Sequence, residues 1–116
     1  MKENFFVYLI LNLKKSKTIS YVGWTNNLKK RLQLHNSGKG AKFTRGRKWI
    51  LIYKKKLKSK KSAMQFEYNL KKNRKIRKQL IEKFISTTMD CFLIFLFFFK
   101  LYSNCIALFF DFNFFL

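Results

Sequence analysis

One arginine, one histidine and one glutamate stand out in this chain because of where they fall. From Leu28 the order Leu-Lys-Lys-Arg-Leu-Gln-Leu-His-Asn-Ser runs at helical spacing, and at about 100° per residue Leu28, Arg31, Leu32 and His35 share one arc. Arg31 and His35, the single histidine of the chain, therefore lie on the face that the leucines bury. An arginine at the edge of a cleft can stabilise charge building on phosphate oxygens, and a histidine beside it can move a proton or bind phosphate. The plainer alternative is that Arg31 snorkels to the rim and His35 is a satisfied histidine at the edge of the core. Glu67 is the only acid between Glu3 and Glu82. Beside the Phe66/Leu70 ridge of a later helix, it can be a Mg²⁺ ligand or one half of an i, i+4 ion pair with Lys71.

Tyr8 and Tyr21 are the remaining residues with usable chemistry. Each sits in a β-rich stretch, and cross-strand pairing would bring both phenols out on one face beside the first helix, although packing is the ordinary role of a strand tyrosine. Gly23 permits a close backbone approach or a bend.

Positioning these groups takes six elements. Phe5 to Leu13 is a continuous apolar run suited to a central strand, and it reads as a strand rather than a signal peptide. Lys14 to Lys17 is a turn, and Thr18 to Trp24 alternates as the second arm of a hairpin. Thr25-Asn26-Asn27 offers an N-cap to the first helix, with Gly38 just past its end. Gly38 to Arg47 holds three of the four glycines and should be a mobile loop, carrying Lys39, Lys42, Arg45 and Arg47 as nucleic-acid contacts. A third strand follows over Trp49 to Leu57. Ser59 or Ser62 caps a second helix to about Lys72, and Ile76, Leu80 and Phe84 make one face of a third over Arg74 to Phe84. The order β-β-α-β-α-α predicts an α+β fold, a small three-stranded antiparallel sheet flanked by helices.

Charge points to the partner. The 116 residues carry 26 Lys and Arg against 5 Asp and Glu, a formal +21, which attracts polyanions through phosphate neutralisation and counterion release. A basic surface that is merely solvated, shaped by AT-rich coding sequence, is the competing explanation. Cys91 and Cys105 have neither zinc nor disulfide-framework spacing. Composition breaks near Met89, so residues 1–88 are expected to form the domain. Residues 89–116 form an apolar C-terminal extension with 10 of the 15 phenylalanines. Three explanations are open for it: a span through residues 91–110, opposed by Lys100; extra core; or coding sequence appended by a frameshift or lost stop codon.

Together these residues resemble the GIY-YIG endonucleases over residues 4 to about 85. Phe6-Val7-Tyr8 looks like the GIY element, Tyr21-Val22-Gly23 like YIG, Arg31 like the family's arginine and Glu67 like its metal-binding glutamate. His35 falls where the family carries Tyr or His, and Asn36 to Arg47 looks like small stand-alone bacterial members. Phe6 replaces the first glycine, Trp24 stands where excision-repair relatives place a lysine, and no asparagine follows the third helix. The resemblance implies Mg²⁺- or Mn²⁺-assisted hydrolysis of DNA in repair or recombination, in the bacterial cytoplasm, at a site of Tyr8, Tyr21, Arg31, His35 and Glu67. The phenol then needs the metal or Arg31 to lower its pKa. The resemblance further implies low sequence specificity and no small-molecule cofactor, with RNA as a further partner. A catalytically weak DNA- or RNA-binding module of the same fold and a small membrane protein are the alternatives.

Overall fold

The computed structural model describes residues 3–14 and 17–107. Strands β1 (Phe5–Lys14), β2 (Lys17–Thr25) and β3 (Ile50–Leu57) form one antiparallel sheet in the order β2-β1-β3. The unbroken apolar run of β1 has a simple cause: the strand is central and covered on both faces. Val7 and Leu9 pack with Ala63 and Leu70 of helix α2 (Lys60–Lys72), and with Leu80 and Ile81 from the start of α3 (Arg74–Ala107). Tyr8 and Ile10 point the other way, to Trp49 and to Leu28 and Leu32 of α1 (Leu28–Asn36). The expected α+β sandwich is thus present, with α1 alone on the face that carries Tyr8.

Side-chain caps set the helix starts. Asn27 Oδ1 accepts from the Lys30 N–H at 3.1 Å and Ser59 Oγ from the Ser62 N–H at 3.1 Å, so Ser59 rather than Ser62 is the cap of α2. Past α1, Gly38 turns the chain at φ 79°, a conformation that favours glycine.

Three local features differ from expectation. Residues 38–47 are not a plain mobile loop: a 3₁₀ turn at Lys42–Thr44 buries Thr44 completely. Strand β3 begins at Ile50 rather than Trp49, because the Asn36 side chain occupies both polar groups of the Trp49 backbone. Asn36 Oδ1 accepts from Trp49 N at 2.7 Å and Asn36 Nδ2 donates to Trp49 O at 3.2 Å. The third helix runs beyond Phe84 to Ala107, since neither glycine nor proline occurs after Gly46 to stop it.

The chain divides into two compact units, Met1–Ile81 and Glu82–Leu116, and the catalytic candidates all belong to the first. In the second, the side chains of Phe92 to Phe99 are 43–65% exposed and add no buried core. Among the described residues no helix is long and apolar enough to cross a membrane. The rest of the apolar extension, residues 108–116, lies outside the described residues.

Burial of β1 on both faces makes Leu9 a sensitive probe. Leu9→Ala should lower the unfolding free energy by about 2–5 kcal/mol, read from the denaturant midpoint; a loss well below that range would contradict a fully covered central strand.

Candidate active site

The sheet register places Tyr8 opposite Gly23 and Ile10 opposite Tyr21, so the two phenols are diagonal neighbours on one face. Gly23 is required by this arrangement. A Cβ there would overlap the Tyr8 hydroxyl and stand 2.7 Å from the ring carbon that bears it. Helix α1 crosses the same face and delivers the two groups that its spacing put together. Arg31 Nε donates to Tyr8 Oη at 3.3 Å, and His35 Nε2 lies 2.8 Å from the same oxygen. On its other side His35 Nδ1 is 2.9 Å from Thr44 Oγ1, which donates its proton to the Ala41 carbonyl at 2.8 Å.

Those partners assign a direction to every bond. A hydroxyl has one proton, and Thr44 gives its own to Ala41. It therefore accepts from His35 Nδ1–H, the neutral ring presents its lone pair at Nε2, and the Tyr8 O–H donates to it. The chain of donation runs from Arg31 through Tyr8, His35 and Thr44 to the carbonyl of Ala41.

Burial sets the protonation states. Desolvation pushes the Tyr8 phenol up to about 12 and outweighs the opposing hydrogen bond and charge of Arg31. The sequence-based requirement that a neighbour depress this phenol is therefore not met by Arg31. His35 is held below the ordinary histidine range, first by burial and then by the charge of Arg31. The Arg31 guanidinium is itself raised, chiefly by its hydrogen bond to Tyr8.

Tyr8, Tyr21, Gly23, Trp24, Arg31 and Glu67 line one open cleft of about 570 Å³. Four of the five residues singled out by sequence meet there, while His35, with no exposed surface, stands behind Tyr8. Glu67 lines the cleft and pairs with Lys71 Nζ at 2.9 Å, the i, i+4 ion pair that was one of the two roles expected for it. With Lys71 half exposed, such an i, i+4 pair contributes about 0.3–0.5 kcal/mol and is easily opened. No cluster of three or more His, Cys, Asp or Glu gathers among the described residues. A single carboxylate, completed by water and phosphate oxygens, is nevertheless a donor set that Mg²⁺ accepts. Lys60, from the first turn of α2, also reaches the cleft, its Nζ 5.5 Å from the Trp24 ring.

The loop cations sit elsewhere. Lys39, Lys42 and Arg45 are exposed and Arg47 is half-buried, its Nη1 donating to the Phe43 carbonyl at 2.6 Å; none of the four lines the cleft. Sequence reasoning missed Thr44, Asn36 and Gly40. Gly40 lets the loop close over the imidazole, for a Cβ there would lie 2.6 Å from His35 Nδ1. A polar residue on a turn has no periodicity to betray it, and only the glycine spacing around residues 38–46 hinted that the loop was shaped.

A three-stranded antiparallel sheet flanked by helices, with these residues on one cleft, is the arrangement expected from the resemblance to GIY-YIG domains. The chain belongs to that family: the model of the GIY-YIG catalytic domain matches residues 4–79. Similar proteins include the UPF0213 protein OB0043 of Oceanobacillus iheyensis, 45% identical over 84 residues that cover 71% of this chain and 94% of that one. The UPF0213 protein YazA of Bacillus subtilis is 43% identical over 80 residues, covering 67% and 77%. A solution NMR structure of the UPF0213 protein BH0048 from Bacillus halodurans shares 40% identity, covers 68% and 83%, and has a TM-score of 0.39.

The buried neutral histidine has a consequence for stability. With its folded-state pKa lowered, His35 contributes stability above the ordinary histidine range, near 6.5, and that contribution is lost as pH falls through the lowered value. Thermal unfolding at pH 7 and pH 5 should therefore show a larger acid-induced drop for the native protein than for His35→Gln. Equal drops would mean that His35 does not have to stay neutral.

Proposed function

We propose that the protein is an endonuclease that hydrolyses DNA phosphodiester bonds with Mg²⁺ or Mn²⁺, with a place in DNA repair or recombination. The observation that carries this reading is the Arg31–Tyr8 hydrogen bond inside a cleft that also holds Tyr21 and Glu67.

Each residue has a role its position supports. Arg31 uses Nε on Tyr8, and its guanidinium, which lines the cleft, meets phosphate oxygens where charge builds as the bond to the attacking oxygen forms. Tyr8 serves as a relay and not as a phenolate, because burial keeps its proton on. As the attacking water gives a proton to Tyr8 Oη, the phenolic proton passes to His35 Nε2, so no tyrosinate forms. Tyr21 packs edge-on against His35, ring centroids 5.1 Å apart, and lines the cleft, where its role is to orient the water. Glu67 is the residue that would hold the metal, whose chemistry when bound is neutralisation of charge on the phosphate and leaving oxygens. Lys39, Lys42, Arg45 and Arg47 serve as backbone contacts, which favour affinity over sequence specificity.

The Glu67–Lys71 pair favours a second reading, a DNA-binding module that cleaves weakly because its carboxylate is already engaged. The full chain incubated with nicked, branched and linear DNA, with and without Mg²⁺, separates the two. Cleavage should require Mg²⁺ and fall about 10²–10³-fold in Arg31→Ala, with a comparable loss in Glu67→Gln. Metal-independent binding without cleavage, unchanged in both variants, would leave the binding module.

A further inference from the structure

Next to the cleft, the 3₁₀ turn at Lys42–Thr44 sends adjacent residues in opposite directions. Thr44 is fully buried against His35, whereas Phe43 is 52% exposed. Among the described residues before Phe92, Phe43 is the one phenylalanine with an exposed side chain.

The turn that carries the ring is tied down by hydrogen bonds. Thr44 is fastened by His35 and by the Trp49 Nε1–H, which donates to the Thr44 carbonyl at 2.9 Å. Phe43 continues a series of rings that starts inside the domain. Tyr21 meets Trp49 edge-on at 6.5 Å, and Phe43 stacks on Tyr21 at 6.2 Å with 22° between the planes. The Arg47 guanidinium lies 5.2 Å from the Phe43 centroid and is pinned by its bond to the Phe43 carbonyl. Lys42 and Arg45 flank the Phe43–Thr44 pair in the chain, and both are exposed, as is Lys39. An aromatic ring with a guanidinium over it, half exposed and with further cations next to it in the chain, complements a nucleobase attached to a phosphate backbone.

We infer that Phe43, with Arg47, is a stacking platform for an unpaired DNA base one ring removed from the cleft. The inference rests on DNA being the substrate, as proposed above, and sharpens it to DNA with a nucleotide out of the helix. A base inside a duplex has both faces occupied by its neighbours, so only an unpaired or flipped base can use the platform. Tyr21 links the two places: it meets Phe43 and also lines the cleft with Arg31, so a base on Phe43 sits one ring away from the cleft.

The test uses two duplexes equal in length and phosphate count, each with one 2-aminopurine, placed opposite thymine in one and opposite an abasic site in the other. Binding of the full chain is measured without Mg²⁺, and cleavage of the same DNA with Mg²⁺ in parallel. The unpaired duplex should bind about tenfold tighter, with its 2-aminopurine fluorescence changing on binding as the base stacks. Phe43→Ala and Phe43→Leu should abolish the preference and the fluorescence change while leaving the paired duplex unaffected, and Phe43→Trp should keep both. Leucine retains the apolar cover over Tyr21, so a preference that survives in Phe43→Leu would overturn the platform, as would no preference in the native protein. Cleavage of both duplexes without preference would overturn the platform alone. Preference and fluorescence change without any Mg²⁺-dependent cleavage would support the platform and overturn the nuclease reading.

Discussion

A phenol can be taken out of water only if its hydroxyl is partnered, and the domain is organised around meeting that condition for Tyr8. Its oxygen accepts from Arg31 and its proton goes to His35, and His35 in turn needs Thr44 to hold its other nitrogen. The four residues come from three elements: Tyr8 from the central strand, Arg31 and His35 from the helix across it, and Thr44 from the turn that follows. Gly23 clears room for the ring and Gly40 for the imidazole, so two glycines on separate segments serve the same chain of bonds. A buried network of this kind is stable only when complete, because an unpaired member in a low dielectric is costly. That is why helix, sheet and loop must take up one relative position, and why the cleft has a defined wall.

The same burial decides the chemistry. In water a phenol beside an arginine would ionise more readily, but here desolvation dominates and keeps the proton on Tyr8. The neutral phenol is useful only because a neutral histidine waits behind it. Glu67 meets a different circumstance: it lines the cleft, and its ion-pair partner Lys71 is half exposed. It can exchange Lys71 for a cation at small cost, whereas nothing in the Tyr8 network can be exchanged cheaply.

How much of this was legible from residues alone follows from periodicity. The arc shared by Leu28, Arg31, Leu32 and His35 is a statement about a helix, and the structure packs those leucines beside Tyr8 and points both polar residues at it. The apolar run of β1 likewise announced a strand covered on both sides. What periodicity could not announce was closure: Thr44 meets His35 nine residues later in the chain, through a turn set by glycines and by Trp49. Nor could it give the strength of burial, so the expectation that Arg31 would depress the phenol had the right neighbour and the wrong dominant effect. The end of the third helix was placed too early because a change in composition is not a helix stop when glycine and proline are both missing.

The directed chain of hydrogen bonds can be observed without any substrate. In ¹⁵N-labelled protein at neutral pH, long-range nitrogen–proton correlation spectra report which imidazole nitrogen carries the proton. The account predicts a neutral His35 protonated at Nδ1, with Nε2 showing the shift of a bare, hydrogen-bond-accepting nitrogen. An Nε2–H tautomer, or an imidazolium, would reverse the bond to Tyr8 and contradict the relay.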